Sequence, residues 1–106
     1  MPRTIVKCSP ISEAVNRRFF RAIEKLVALG RISALESFCA DNALSSSRYR
    51  EMRFEYGVMP TGKRSRYKNI EIEALHALTA NFPVSADWLL TGLGDMIVKH
   101  RRKAGV

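Results

Sequence analysis

The sequence predicts a compact all-α domain of five helices. Apolar residues recur at intervals of three and four along most of the chain, which is the periodicity of helices with one buried face. Serines that suit helix N-caps, and glycines and prolines that end helices, separate these stretches. With 106 residues and 46% hydrophobic composition, the chain fits one domain whose core does not depend on disulfides.

Both ends of the chain are expected to lie outside the helical domain, which is predicted at residues 12–96. Residues 1–11 are predicted to be a short N-terminal arm, because they include β-branched residues and because Pro10 interrupts regular structure. Residues 97–106 are a basic tail, which we expect to be frayed. The sequence contains no long apolar stretch, so it predicts neither a signal peptide nor a transmembrane helix, and a cytoplasmic protein is expected.

The first helix is predicted at residues 13–29, with Ser12 as its N-cap and Gly30 as its stop. Its inner face carries Val15, Phe19, Ile23, Leu26 and Val27. Phe20 adjoins this face without sharing it fully, which suggests a second contact such as a dimer surface.

Two short helices with a tight turn between them follow. The first is predicted at residues 34–40, where Ser33 and Glu36 form a capping box, and its inner residues are Leu35, Phe38 and Cys39. The second is predicted at residues 45–54, begins at one of three serines and ends by Gly57. Its inner residues are Tyr49, Met52 and either Phe54 or Tyr56.

The last two helices have clear ends in the sequence. The fourth is predicted at residues 70–81 and stops before Pro83; its inner residues, with the one that follows it, are Ile72, Leu75, Leu78 and Phe82. Ser85 caps the fifth helix and Gly92 ends it. We expect Met96 to return to the core, and the helix to be fixed on the bundle by Trp88, Leu89 and Leu90.

The pair of short helices fulfils the demands of a DNA-binding helix-turn-helix. Cys39 is small where the helices cross, and Leu44 plugs the turn. We expect the hydroxyl groups at the start of the third helix to admit phosphates, and Arg50, one turn further on, to contact a guanine edge or a phosphate. The outward residues predicted to contact DNA are Ser45, Ser46, Ser47, Arg48, Arg50, Glu51 and Arg53.

Positive charge is concentrated after the third helix. Seven positive and two negative side chains lie from Arg48 to Lys68, so this segment carries a net +5 of the whole chain's +8. Charge that only kept the protein soluble would be scattered over the sequence, so this concentration indicates a polyanionic partner. We define residues 62–68 as the basic loop, and its predicted phosphate contacts are Lys63, Arg64, Arg66, Tyr67 and Lys68.

Residues 15–96 resemble the lambda-repressor-type helix-turn-helix domain of phage repressors and the XRE-like bacterial regulators. "FCADNALSSSRYREM" matches this family in spacing, and "FPVSADWLLTGLGDM" resembles its more specific closing signature. The chain departs from the family pattern at Ala43, where the turn usually has Gly, at Asn42, where an apolar residue is usual, and in the long, basic segment 55–69. The resemblance implies a transcriptional regulator that binds an operator, usually as a dimer.

The residues give no support to an enzyme, a metal site or a cofactor. Neither the two cysteines nor the two histidines have the spacing of metal ligands, and we expect Cys8 and Cys39 to be reduced thiols. The three serines lack the partners of a nucleophile, and Gly92 and Gly94 are packing glycines outside any phosphate-binding loop.

The predicted partner is double-stranded DNA, and neither a membrane nor a small-molecule substrate is expected. One small domain contacts few base pairs, so a homodimer on a palindromic operator is expected. Two alternatives stay open: a protein-interaction adaptor on the same helical fold, and a nucleic-acid-binding protein without sequence preference.

Overall fold

The computed structural model describes residues 9–98, which form five helices and no strand. These helices are α1 (Pro10–Ala28), α2 (Leu35–Asp41), α3 (Ser46–Tyr56), α4 (Ile72–Asn81) and α5 (Ala86–Thr91). The predicted all-α class is therefore confirmed for this range. Residues 1–8 and 99–106, with most of the predicted arm and tail and with Cys8, lie outside the described residues.

The start of α1 differs from the prediction. Ser9 is the N-cap, and its hydroxyl accepts a hydrogen bond from the Ser12 amide at 3.0 Å. Pro10 begins the helix, because a proline in the first turn has the right φ and lacks an N–H that would have no helical partner there. The predictions that Pro10 interrupts regular structure and that Ser12 caps the helix were wrong. The predicted stop is confirmed, since Gly30 follows α1 in the left-handed region at φ 73°.

The core is built around α1, which packs against both α3 and α5. Phe19, Ile23 and Leu26 are buried as predicted. Phe20 is also buried, with 1% exposure, and its ring meets that of Phe19 edge to face at 5.1 Å. The suggested second contact for Phe20 was wrong, because a central helix with neighbours on two sides buries a wider face than one apolar stripe.

The cap of α2 is formed by a different residue from the predicted one. Ala34 holds the N-cap position, and its amide donates a hydrogen bond to Ser37 Oγ at 3.1 Å. The predicted capping box of Ser33 and Glu36 was wrong, because α2 begins later and places Ser37 at the third helical position. Glu36 is left to face α3, where its carboxylate lies near Arg50.

The turn between α2 and α3 has a left-handed residue that is not glycine. Ala43 has φ 56°, and the Leu44 amide then donates to the Cys39 carbonyl at 2.8 Å. Leu44 packs against the core, as the predicted plug should. Ser45 caps α3 by accepting a hydrogen bond from the Arg48 amide at 3.3 Å.

Helices α4 and α5 bury fewer large residues than predicted. Ile72 is 75% exposed and Leu90 is 53% exposed, so their predicted inward positions were wrong. Helix α4 turns its alanines, Ala74 and Ala77, toward the core together with Leu78. A face of small residues allows close packing, and it rotates Ile72 outward because residue 72 lies about 160° from residue 74 and about 140° from residue 77 on the helix.

The ends of α5 follow the prediction, but the domain continues past the predicted boundary at residue 96, since Ile97 packs against the core and the Val98 amide donates to the Pro83 carbonyl at 2.8 Å. Ser85 accepts a hydrogen bond from the Trp88 amide at 3.1 Å, and Gly92 ends α5 at φ 79°. The chain then returns, and the Met96 carbonyl accepts a hydrogen bond from the Ser85 amide at 2.9 Å. Among residues 9–98 no helix combines the length and apolar composition that crossing a bilayer would require.

The backbone of Ala43 gives a stability prediction. We expect Ala43→Gly to raise the free energy of unfolding by about 0.5–1 kcal/mol. Glycine adopts the left-handed backbone without the strain that alanine has there, and this gain exceeds the loss from the greater conformational entropy of glycine in the unfolded chain. Thermal unfolding should show an increase of a few degrees in Tm. Ala40→Gly in α2 is the matched control and should lower Tm, since glycine weakens a helix; a lower Tm for Ala43→Gly as well would contradict the prediction.

Candidate nucleic-acid interface

The start of α3 presents serine hydroxyl groups to solvent. Ser45 and Ser47 are exposed and Ser46 is half-buried. The Ser45 hydroxyl already holds the Arg48 amide, so its role is to cap the helix. The first turn of this eleven-residue helix has the polarity that favours an anion.

Two arginines of α3 face α2 in loose ion pairs. The Nε atom of Arg50 lies 4.0 Å from Glu36 Oε2, and the Nη2 atom of Arg53 lies 3.8 Å from the same oxygen. These separations exceed hydrogen-bond length, and exposed pairs of this kind contribute little stability. Arg50 is exposed, so its guanidinium is available to an anionic ligand without the loss of a strong contact.

Arg48 differs from its neighbours, because it is fixed against the segment between α3 and α4. Its Nη2 atom donates to the Asn69 carbonyl at 2.8 Å, and its guanidinium lies 4.8 Å from the centre of the Tyr67 ring. Its Nε atom is buried without a hydrogen-bond partner, 4.0 Å from Glu71 Oε1. This predicted DNA contact therefore joins α3 to the following segment.

Tyr49 connects α3 to the start of α4. The side chain is fully buried, and its hydroxyl donates to Glu71 Oε1 at 3.0 Å while accepting from the Glu71 amide at 3.1 Å. Burial raises the pKa of Tyr49 well above its ordinary value. Helical periodicity predicted Tyr49 as an inner residue, but it gave no indication of the partner of its hydroxyl.

Two carboxylates one turn apart on α3 bind the basic loop. Glu51 accepts from the Arg66 amide at 2.8 Å and from the Arg66 guanidinium, whose Nη2 lies 3.0 Å from Oε1. Glu55 accepts from the Ser65 amide at 2.7 Å and from Lys68 Nζ at 3.0 Å. Glu51, predicted to contact DNA, thus faces the basic loop.

These contacts change the pKa of both carboxyl groups. The side chain and then the backbone amide of Arg66 lower the pKa of Glu51. Burial alone would raise the pKa of Glu55, but the Ser65 amide and Lys68 outweigh it, so that the pKa of Glu55 also lies below its usual value. Both groups are therefore held as carboxylates that attract the basic loop.

The five predicted phosphate contacts of the basic loop fall into two groups. Lys63 and Arg64 are exposed, and Arg66 remains 78% exposed although it binds Glu51. Lys68 is mostly covered in its ion pair with Glu55, and Tyr67 is half-buried with two guanidinium groups close to its ring. The accessible cations are therefore at the start and middle of the loop.

A buried asparagine that the helical pattern did not reveal holds the end of this segment. Asn16 of α1 donates from Nδ2 to the Lys68 carbonyl at 2.8 Å and accepts from the Ile70 amide at 3.3 Å. In the sequence, Asn16 is visible only as a polar residue beside the apolar stripe of α1, close to Val15 and Phe19. The partner lies more than fifty residues away, so only the folded chain identifies this role.

A shallow apolar groove lies between α4 and α5, on a different part of the molecule from the basic loop. Its cavity volume is about 160 Å³, and its lining includes Ile72, Leu75, Leu89 and Leu90. Ile72 follows Glu71 directly, and the carboxylate of Glu71 accepts a hydrogen bond from the Tyr49 hydroxyl of α3. We call this feature the apolar groove.

Residues 9–98 contain no cluster of three residues able to hold a metal ion. Cys39 is a buried free thiol, and burial, followed by the charge of Glu36, raises its pKa to about 11. Comparisons of the chain with family models, with curated proteins and with solved structures found no match.

Acid should release the basic loop from α3. The pKa values of Glu51 and Glu55 are lowered from 4.5, so their contribution is complete above pH 4.5 and is lost as the pH falls through the lowered values. We expect the NMR resonances of the Ser65 and Arg66 amides to titrate below pH 4.5. Glu51→Gln should remove the Arg66 transition and leave that of Ser65; midpoints at or above pH 4.5 would contradict the assignment.

Proposed function

We propose that the chain is a sequence-specific DNA-binding protein, in which α2 and α3 form a helix-turn-helix of the lambda-repressor type. The observation that carries this proposal is that the basic loop is attached to α3, so that its exposed cations and the polar start of α3 belong to one connected unit. The tight turn at Ala43 and the packing of α2 against α3 support it. In this proposal α3 lies in the major groove and the protein regulates transcription.

The exposed side chains have different roles in this proposal. Arg50 contacts a base edge, because it is exposed near the middle of α3 and bound only loosely by Glu36. Lys63, Arg64 and Arg66 contact phosphates, which position the domain without distinguishing sequences. Ser46 and Ser47 allow a phosphate to approach the N terminus of α3.

A homodimer completes the proposal, and the apolar groove is its proposed interface. Exposed large residues on two adjacent helices, Ile72 and Leu90, flank the groove, and a second copy would remove both from water. A two-fold dimer through this groove would carry two copies of α3 related by symmetry. Such an arrangement suits a palindromic site.

Selection of bound duplexes from a random pool tests the function directly. The proposal expects a converged palindrome whose half-sites lie about one helical turn apart. Equal recovery of unrelated duplexes would instead indicate nucleic-acid binding without sequence preference. No DNA binding even at low salt, together with a stable protein complex, would favour a protein-interaction adaptor.

Two variants distinguish base contacts from phosphate contacts. Arg50→Ala should weaken the selected site by roughly 1–3 kcal/mol and affect random DNA much less. The double variant Lys63→Ala/Arg64→Ala should weaken both about equally and reduce the salt dependence of binding by about two counterions. Binding titrations at several salt concentrations measure both effects.

Lys25→Ala is the matched control, because Lys25 lies in the last turn of α1 and outside both α3 and the basic loop. Its affinity for the selected site and for random DNA should change much less than in the other two variants. An unchanged ratio of specific to random affinity in Arg50→Ala would remove Arg50 from the proposed base contacts.

Leu90→Glu should prevent dimer formation while leaving the monomer folded. Leu90 is exposed in the monomer, so a charge is tolerated there, whereas a charge buried between two copies is unfavourable. Sedimentation with and without the selected DNA measures the number of chains. Leu29→Glu is the control, since Leu29 is also an exposed leucine but follows α1; a Leu90→Glu protein that remains dimeric would exclude the apolar groove as the interface.

A further inference from the structure

We propose that Glu51 and Glu55 are positioning residues, which strengthen DNA binding in spite of their negative charge by holding the basic loop against α3. The inference rests on the proposed function, because it assigns these carboxylates a part in phosphate contact. It also reassigns Glu51, for which the outward position on α3 predicted a direct contact with DNA.

The geometry of the basic loop supports this role. The loop has no helix or strand of its own, and two backbone amides attach its middle to α3. The Ser65 amide lies 2.7 Å from Glu55 Oε1, and the Arg66 amide lies 2.8 Å from Glu51 Oε2. Because these acceptors are one helical turn apart, they fix both the position and the direction of the loop.

Arg66 keeps a free surface while it is held. Its Nε and Nη2 atoms donate to Glu51, yet its side chain is 78% exposed. A phosphate can therefore approach this guanidinium from the solvent side without displacing Glu51. Tyr67 adds to the order of the loop, since the guanidinium groups of Arg48 and Arg66 lie 4.8 and 5.3 Å from the centre of its ring.

Two effects of the carboxylates oppose each other. Their charge repels a polyanion, so its removal alone should increase affinity. Their hydrogen bonds order the basic loop before DNA arrives, so the conformational entropy of the loop is lost on folding and not on binding. Charge-assisted hydrogen bonds to backbone amides are among the stronger ones in proteins, and we infer that the ordering effect exceeds the repulsion.

Glu51→Gln shows whether the repulsion or the ordering effect dominates, because it removes the charge and keeps the size of the side chain. We expect roughly fivefold weaker binding of the selected DNA, with a smaller salt slope because Arg66 is no longer positioned on a phosphate. Glu73→Gln is the matched control, since Glu73 is exposed on α4 and its loss removes the same charge; its affinity should be unchanged or slightly higher. Equal or tighter binding by Glu51→Gln would overturn the proposal.

Hydrogen exchange in the absence of DNA tests the positioning role separately. The Arg66 amide should exchange faster in Glu51→Gln, and the Ser65 amide faster in Glu55→Gln, while core amides of α1 keep their protection and Tm changes little. Unchanged protection of both amides would overturn the positioning role even if the variants bind DNA weakly. If the native chain binds no DNA but its amides respond as expected, the proposed function fails while the attachment of the loop stands.

Discussion

The burial of Tyr49 is the interaction on which the arrangement of α3 depends. Its ring lies in the core, 5.7 Å from the ring of Phe19 in α1, while its hydroxyl binds both the carboxylate and the amide of Glu71 before α4. An unpaired hydroxyl in a core would be costly, so Glu71 is as necessary as the apolar contacts. One side chain thereby fixes α3 relative to two other helices, and the orientation of the outward side chains of α3 depends on these contacts.

The outer face of α3 is divided between two neighbours. On one side Glu36 of α2 draws Arg50 and Arg53 toward it, and on the other side Glu51 and Glu55 hold the basic loop. Carboxylates placed among so many cations reduce their mutual repulsion. A chain with a net charge of +8 can therefore fold its most basic segment into a defined structure and still leave cations accessible.

Local rules predicted the parts of the fold that depend on neighbouring residues. Ser85 caps α5, Gly92 ends it, and Ser45, one of the three candidate serines, caps α3, because these effects act within one turn. The same rules misassigned the caps of α1 and α2, where Ser9 and Ala34 hold the N-cap positions. The faces of short helices were less predictable. The outward turn of Ile72 and Leu90 depends on how closely α4 and α5 approach their neighbours, and periodicity over six to ten residues does not determine this.

Local sequence rules also predicted only part of the candidate site. Helical spacing correctly placed Arg48, Arg50 and Glu51 away from the core, but it did not indicate which of them the next segment would cover. The segment 57–71 lacks periodicity. Its path is set by hydrogen bonds to side chains of two different helices, Asn16 of α1 and Glu55 of α3. In the proposed function the basic loop thus restricts base contact to the side of α3 that carries Arg50, and it adds its own cations beside that side. In that proposal the recognition surface is narrow, and its phosphate contacts are positioned by Glu51 and Glu55.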